Sequence, residues 1–140
     1  MSERHPALEP FEALIGTWST VARHPLLDAD VPGQITFEWL EGGHWLIQRS
    51  RNEHELFPDA ISVIGAGGDG LFLEYFDSRG VRRRYGVSLQ DGVLRQWGEF
   101  PEFAQRYEAA LAPDEFTGLW QVAETPGDWR DDLAVRYRRG

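Results

Sequence analysis

Between Leu71 and Trp97 the chain reads LFLEYFDSRGVRRRYGVSLQDGVLRQW, three short runs of alternating character joined by SRG and QDG. Each joint carries a glycine where a tight turn needs a positive φ, so the stretch predicts a three-stranded antiparallel meander. With residues 77 and 81 opposite each other, Tyr75 faces Arg83 and Leu73 faces Tyr85. Across the second turn the same logic sets Leu89 opposite Val93, Val87 opposite Arg95 and Tyr85 opposite Trp97. Strand side chains alternate with a period of two, so all of these share one face. That face is mostly apolar and aromatic, yet it holds Asp77, Arg83 and Arg95. Ionisable groups on a face that packs inward imply either a polar-lined cavity or buried ion pairs.

The rest of the chain fits the same pattern. ALEPFEALI, residues 7 to 15, is the one helical piece, with Leu8, Phe11, Leu14 and Ile15 at helical spacing. After Gly16, turn signals recur at short intervals: HPLLDADVPG, EGG, LFPD, AGGDG, SRG, QDG, APDE and TPGDW. The runs between them predict about ten strands, and turns this short predict an up-and-down order. Closure into a barrel would leave no strand edge exposed. The expected fold is therefore all-β: one antiparallel up-and-down barrel of about ten strands with a short N-terminal helix, a single domain spanning residues 1 to 140.

Charge and composition narrow the function. Net charge is −9, which works against binding nucleic-acid phosphates or an anionic membrane through the whole surface. All 14 basic residues are Arg, so Schiff-base lysine chemistry is excluded. Cysteine is absent, which removes disulfides, thiolate catalysis and thiolate metal sites. No apolar run approaches the ~20 residues of a membrane helix, and the N-terminus lacks a signal-peptide pattern. The default location is the cytoplasm. Self-association as a homodimer stays open.

Gly16-Thr17-Trp18 after a short helix, followed by antiparallel strands to the C-terminus, resembles the calycin superfamily of lipocalins, fatty-acid-binding proteins and nitrobindins. TFEWLEGGHWLIQRS, PDAISVIG, YFDSRGVRRRY and FAQRY, in that order, are similar to a family of small bacterial proteins of fatty-acid-binding-protein-like fold. The resemblance implies that Trp18 packs at the closed end of the barrel against an Arg of a late strand, here Arg136 or Arg138. It also implies a carboxylate-bearing ligand held by inward Arg and Tyr. Nitrobindins carry heme on a His of a late strand. The last strand, DDLAVRYRR, has no His, so the resemblance does not extend to heme and no cofactor is expected.

Other chemistries leave weak traces. His44 with Glu41, and His54 with Glu53 and Glu55, sit in turns without a third ligand at defined spacing, so no metal site is expected. Gly65, Gly67, Gly68 and Gly70 follow a strand without a P-loop Lys or a following helix, which makes them hairpin glycines. Acid–base work would fall to Glu38, His24 or Asp77, although Asp77 beside the SRG turn is better suited to capping its amides. Arg82 and Arg84 should face solvent and Arg83 the interior. Arg106 faces out if Phe103, Gln105 and Tyr107 face in.

Three functions follow. The first is a small-molecule-binding barrel, its ligand partly apolar with a carboxylate or other acceptor. Trp39, Tyr75, Tyr85, Trp97 and Tyr107 would line it, and Arg83 with Arg49 or Arg95 would anchor it. The second is a barrel enzyme of the cyclase or isomerase type using Glu38, His24 or Asp77. The third is a filled barrel that works as an interaction module.

Overall fold

The computed structural model describes residues 5–140. A 3₁₀ helix, η1 (Pro6–Leu14), precedes ten strands: β1 (Gly16–Arg23), β2 (Val31–Trp39), β3 (Leu46–Asn52), β4 (Ala60–Gly67), β5 (Gly70–Asp77), β6 (Arg82–Gln90), β7 (Val93–Glu99), β8 (Ala104–Ala110), β9 (Glu115–Ala123) and β10 (Arg130–Arg139). Each strand pairs antiparallel with its sequence neighbours, and β1 pairs with β10, so the sheet closes into an up-and-down barrel. No helix among the described residues is long and apolar enough to cross a membrane.

Strand alternation divides the molecule into two ends. The β1–β2, β3–β4, β5–β6, β7–β8 and β9–β10 connections gather at one end, which opens onto a cavity. Helix η1 and the remaining turns gather at the other. Leu8, Phe11 and Leu14 of η1 are buried, so the helix plugs the closed end with its apolar face. Trp18 is fixed beneath it, its indole N–H donating to the Leu14 carbonyl at 2.9 Å.

The cation over Trp18 is Arg139, 4.0 Å from the ring, and not Arg136 or Arg138. Trp18 and Arg139 are direct cross-strand partners, whereas Arg136 and Arg138 lie on the opposite face of β10, near Glu115. Arg139 also donates to the carbonyls of Ala13, Ile15 and Pro113, tying η1 to the last strand.

The first hairpin of the central meander has the expected register, with Tyr75 opposite Arg83 and Leu73 opposite Tyr85. The second does not. Asp91 (φ 53°) and Gly92 (φ 76°) form a two-residue turn that pairs Gln90 with Val93 and Leu89 with Leu94. A turn one residue shorter than expected exchanges the two faces of β7. Leu94 and Gln96 therefore point inward, and Arg95 and Trp97 point outward.

Candidate functional site

The barrel encloses a cavity of about 510 Å³. Its closed-end floor is apolar, with Leu14, Phe37, Leu73, Leu94 and Phe116. Toward the open end the walls turn aromatic and polar: Tyr75, Tyr85 and Trp120, then Arg83, Gln105 and His24. A cavity with apolar depth and a few convergent polar groups at its mouth has the makeup of a small-molecule site.

Arg83 enters from the start of β6. Its guanidinium lies 5.1 Å from the Phe103 ring centre and 5.7 Å from that of Phe100, both in the β7–β8 connection. No carboxylate lies within 4.0 Å of it among the described residues, in contrast to Arg82 and Arg84, which share Glu74 on the outer surface. The aromatic faces stabilise the cation without neutralising it. What Arg83 presents to the cavity is therefore a positive charge with no carboxylate partner among the described residues.

The tyrosines around it are already committed as donors. Tyr75 donates to Asp77 at 2.7 Å, Tyr85 donates to the Gln105 carbonyl oxygen at 2.6 Å, and Tyr107 donates to Tyr137 at 3.4 Å. Burial pushes the pKa of all four phenols up, aided at Tyr75 by its bond to the Asp77 carboxylate. All four stay protonated at neutral pH; Tyr75, Tyr85 and Tyr107 offer a ligand only acceptor lone pairs, whereas Tyr137, which accepts from Tyr107, keeps its own O–H. Rings stack edge to face through the group, with Tyr85 at 6.4 Å from Tyr75, 5.5 Å from Phe100 and 5.9 Å from Trp120. Tyr107 lies over Gly118, where a Cβ would sit 2.1 Å from its hydroxyl. Gly118→Ala is therefore expected to displace Tyr107 and cost about 1–3 kcal/mol, measured by urea unfolding. An unchanged midpoint would show that the ring moves freely.

Asp77 takes the turn-capping duty. It accepts from the amides of Arg79 and Val81, from the Arg79 side chain and from Tyr75, with no solvent exposure of its side chain. The Arg79 guanidinium, foremost, holds its carboxyl well below the usual carboxylate range. A carboxylate so engaged is no proton acceptor. A folded-state pKa below the unfolded value of about 4 makes Asp77 stabilising at neutral pH, and that contribution is lost as pH falls below about 4. Asp77→Asn should lower stability at pH 7 by about 1–3 kcal/mol and flatten the stability profile between pH 5 and 2. Parallel acid profiles for variant and wild type would contradict this.

The other two acid–base candidates also have partners. Glu38 stands on the outer surface against Arg49, at 3.1 Å. His24 lines the cavity mouth, but both ring nitrogens are engaged: Nδ1 accepts from the Leu26 amide at 3.1 Å and Nε2 meets Asp132 at 3.0 Å. Asp132 reaches the cavity because β10 bulges between Asp131 and Leu133, turning an extra residue inward. The inner face of β10 otherwise carries Leu133, Val135 and Tyr137, so the strand that would supply a heme ligand by resemblance has no imidazole there.

Of the residues expected to bind, Tyr75, Arg83, Tyr85 and Tyr107 line one cavity. Four others do not. Arg49 points outward between the inward-facing Gln48 and Ser50. Arg95 pairs with Glu108 outside, at 3.0 Å. Trp97, 48% exposed, lies flat on the outer face of Gly86, where a Cβ would sit 2.4 Å from its ring. Trp39 shares the inner parity of Phe37 but sits at the closed end, its indole donating to Glu12 at 2.7 Å, away from the cavity. Arg106 faces out over Trp129, at 4.2 Å, as the inward parity of Gln105 and Tyr107 requires. Sequence reasoning passed over Gln48, Gln96, Asn52 and Arg79, and gave Gln105 only an inward parity and no binding role; all five line the cavity. Alternation out from Tyr107 marks Gln105; nothing comparable marks the glutamines of β3 and β7.

No protein-family profile and no curated protein sequence matches the chain. Among solved structures it is similar to Rv2717c from M. tuberculosis, with 17% identity over 99% of both chains and a TM-score of 0.69. It is also similar to fatty-acid-binding protein 1 of Echinococcus granulosus, with 13% identity over 91% of this chain and 98% of that one, and a TM-score of 0.64. The fluorescent protein UnaG aligns with 18% identity over 92% of this chain and 98% of its own, with a TM-score of 0.61. Architecturally, the chain is a closed ten-stranded barrel of the fatty-acid-binding-protein type.

Proposed function

We propose that the protein binds a small, partly apolar anion inside the barrel, with the anionic group on Arg83 and the apolar portion against the closed-end floor. The reading extends to this chain what the name of the Echinococcus neighbour states of that protein. It is also consistent with the similarity of TFEWLEGGHWLIQRS, YFDSRGVRRRY and the other quoted segments to a family of small bacterial barrels. The observation that carries it is the Arg83 guanidinium, turned into a cavity of about 510 Å³ with no carboxylate partner among the described residues. Cavities of about 300–1,000 Å³ are the size that small ligands occupy. A filled, inert barrel would have no such space, and an acid–base enzyme would need a free proton carrier that Glu38, His24 and Asp77 do not supply.

Native mass spectrometry of the protein isolated from its own host tests the reading. A co-purifying anionic mass, lost from Arg83→Ala protein isolated the same way, is the expected result. Equal retention by the variant would remove Arg83 from the site.

A further inference from the structure

The two halves of the cavity wall differ. Cross-strand pairing links Phe37, Gln48, Ser62, Tyr75 and Arg83 as one unbroken inward row over β2 to β6. Thr20 of β1 adds a further hydroxyl to this side. The wall from β7 to β10 is mainly apolar and aromatic, with Leu94, Tyr107, Phe116, Trp120 and Leu133, interrupted by Gln96, Gln105 and, at the mouth, Asp132.

Within this wall Tyr75 is bonded to Asp77, but the hydroxyl and amide groups deeper along it are unpartnered among the described residues. Thr20 is 4% exposed and Ser62 5% exposed, and both line the cavity. Neither they nor Gln48 make a side-chain hydrogen bond to another group among the described residues. In the empty barrel water can satisfy such groups. A ligand that displaces this water must replace its hydrogen bonds or leave buried donors and acceptors unmade, which is costly at each group. A plain alkyl chain replaces none of them.

We infer that the ligand is polar along one edge of its body: a ring-containing carboxylate whose hydroxyl or carbonyl groups run in line with the carboxylate, along the Gln48–Ser62–Tyr75–Arg83 row, with an apolar edge against β7 to β10. This rests on the anchoring of an anion by Arg83. The aromatic wall offers flat faces suited to a fused-ring skeleton.

A matched series tests it: 5β-cholanate, lithocholate and cholate share one skeleton and one carboxylate and differ in hydroxyls along one face. Isothermal titration of the wild-type protein should show affinity rising in that order, with cholate at least about tenfold tighter than cholanate. In a Gln48→Leu, Ser62→Ala double variant that retains the wild-type near-ultraviolet circular dichroism, the order should level or invert. Arg83→Ala should weaken all three alike. Cholanate binding the wild type as tightly as cholate overturns the polar-edge inference while leaving the anchor intact, provided Arg83→Ala still weakens both. Failure of all three to bind wild type also overturns it. An Arg83→Ala protein that binds the series unchanged overturns the anchor itself.

Discussion

Arg83→Ala should weaken binding of an aromatic anion such as 1-anilinonaphthalene-8-sulfonate by about 30-fold or more, followed by its fluorescence. The magnitude is that of removing one partner from a desolvated, charge-assisted contact. The fold should persist. Arg83 has no carboxylate partner among the described residues, so truncation strands no counter-charge there; Phe100 and Phe103 lose a cation–π contact of about 0.5–2 kcal/mol. Arg95→Ala and Arg49→Ala serve as controls, because each of those side chains pairs with a glutamate on the outer surface. They should leave affinity within about twofold, since a distant surface charge is largely screened at ordinary salt. An Arg95→Ala effect as large as that of Arg83→Ala would mean that the dye binds the outer sheet and not the cavity.

Trp18→Ala should cost about 3–5 kcal/mol of stability, the largest loss of any single truncation in the barrel. Trp18 is fully buried and meets Phe116 edge-on at 5.0 Å and Tyr137 at 6.5 Å. Its indole N–H holds the Leu14 carbonyl, and Arg139 covers its face. Removing the ring opens a hole at the closed end and detaches η1 from the strand it caps. Arg139→Ala should lose less, because the guanidinium is solvent-accessible and water can replace it at the three carbonyls it serves. Urea unfolding measures both. A Trp18→Ala loss below about 1 kcal/mol, under the range for buried aromatic truncation, would show that the helix does not depend on this residue.

Much of the barrel was legible because its turns are short and glycine-marked, and because period-two alternation is strong in β5 and β6. The inward placement of Tyr75, Arg83 and Tyr85 follows from the SRG turn alone, whose three-residue loop leaves Asp77 opposite Val81. The β6–β7 hairpin shows where that logic stops. QDG closes equally well around two residues or three, and the choice is made by Asp91, a non-glycine residue at positive φ. Hydrophobic pattern did not arbitrate: Trp97 looks like a core residue, yet Gly86 on the neighbouring strand gives it a flat seat outside. In β3 the inward Gln48 and Ser50 and the outward Arg49 are all polar, so alternation carries no parity there. The β10 bulge that turns Asp132 toward His24 depends on pairing with β9 and leaves no mark in local sequence. Arg139 was passed over for the same reason, since its seat over Trp18 is set by β1–β10 registry.

The most direct measurement is a ¹H–¹⁵N titration that follows arginine Nε–Hε and glutamine side-chain amide signals as 1-anilinonaphthalene-8-sulfonate is added. Arg83 should shift together with Gln48, Gln96 and Gln105, which line the same cavity from three strands, while Arg49 and Arg95 stay in place. Movement confined to Arg49, Arg95 or Arg106, with the cavity glutamines and Arg83 unmoved, would contradict an internal anion site.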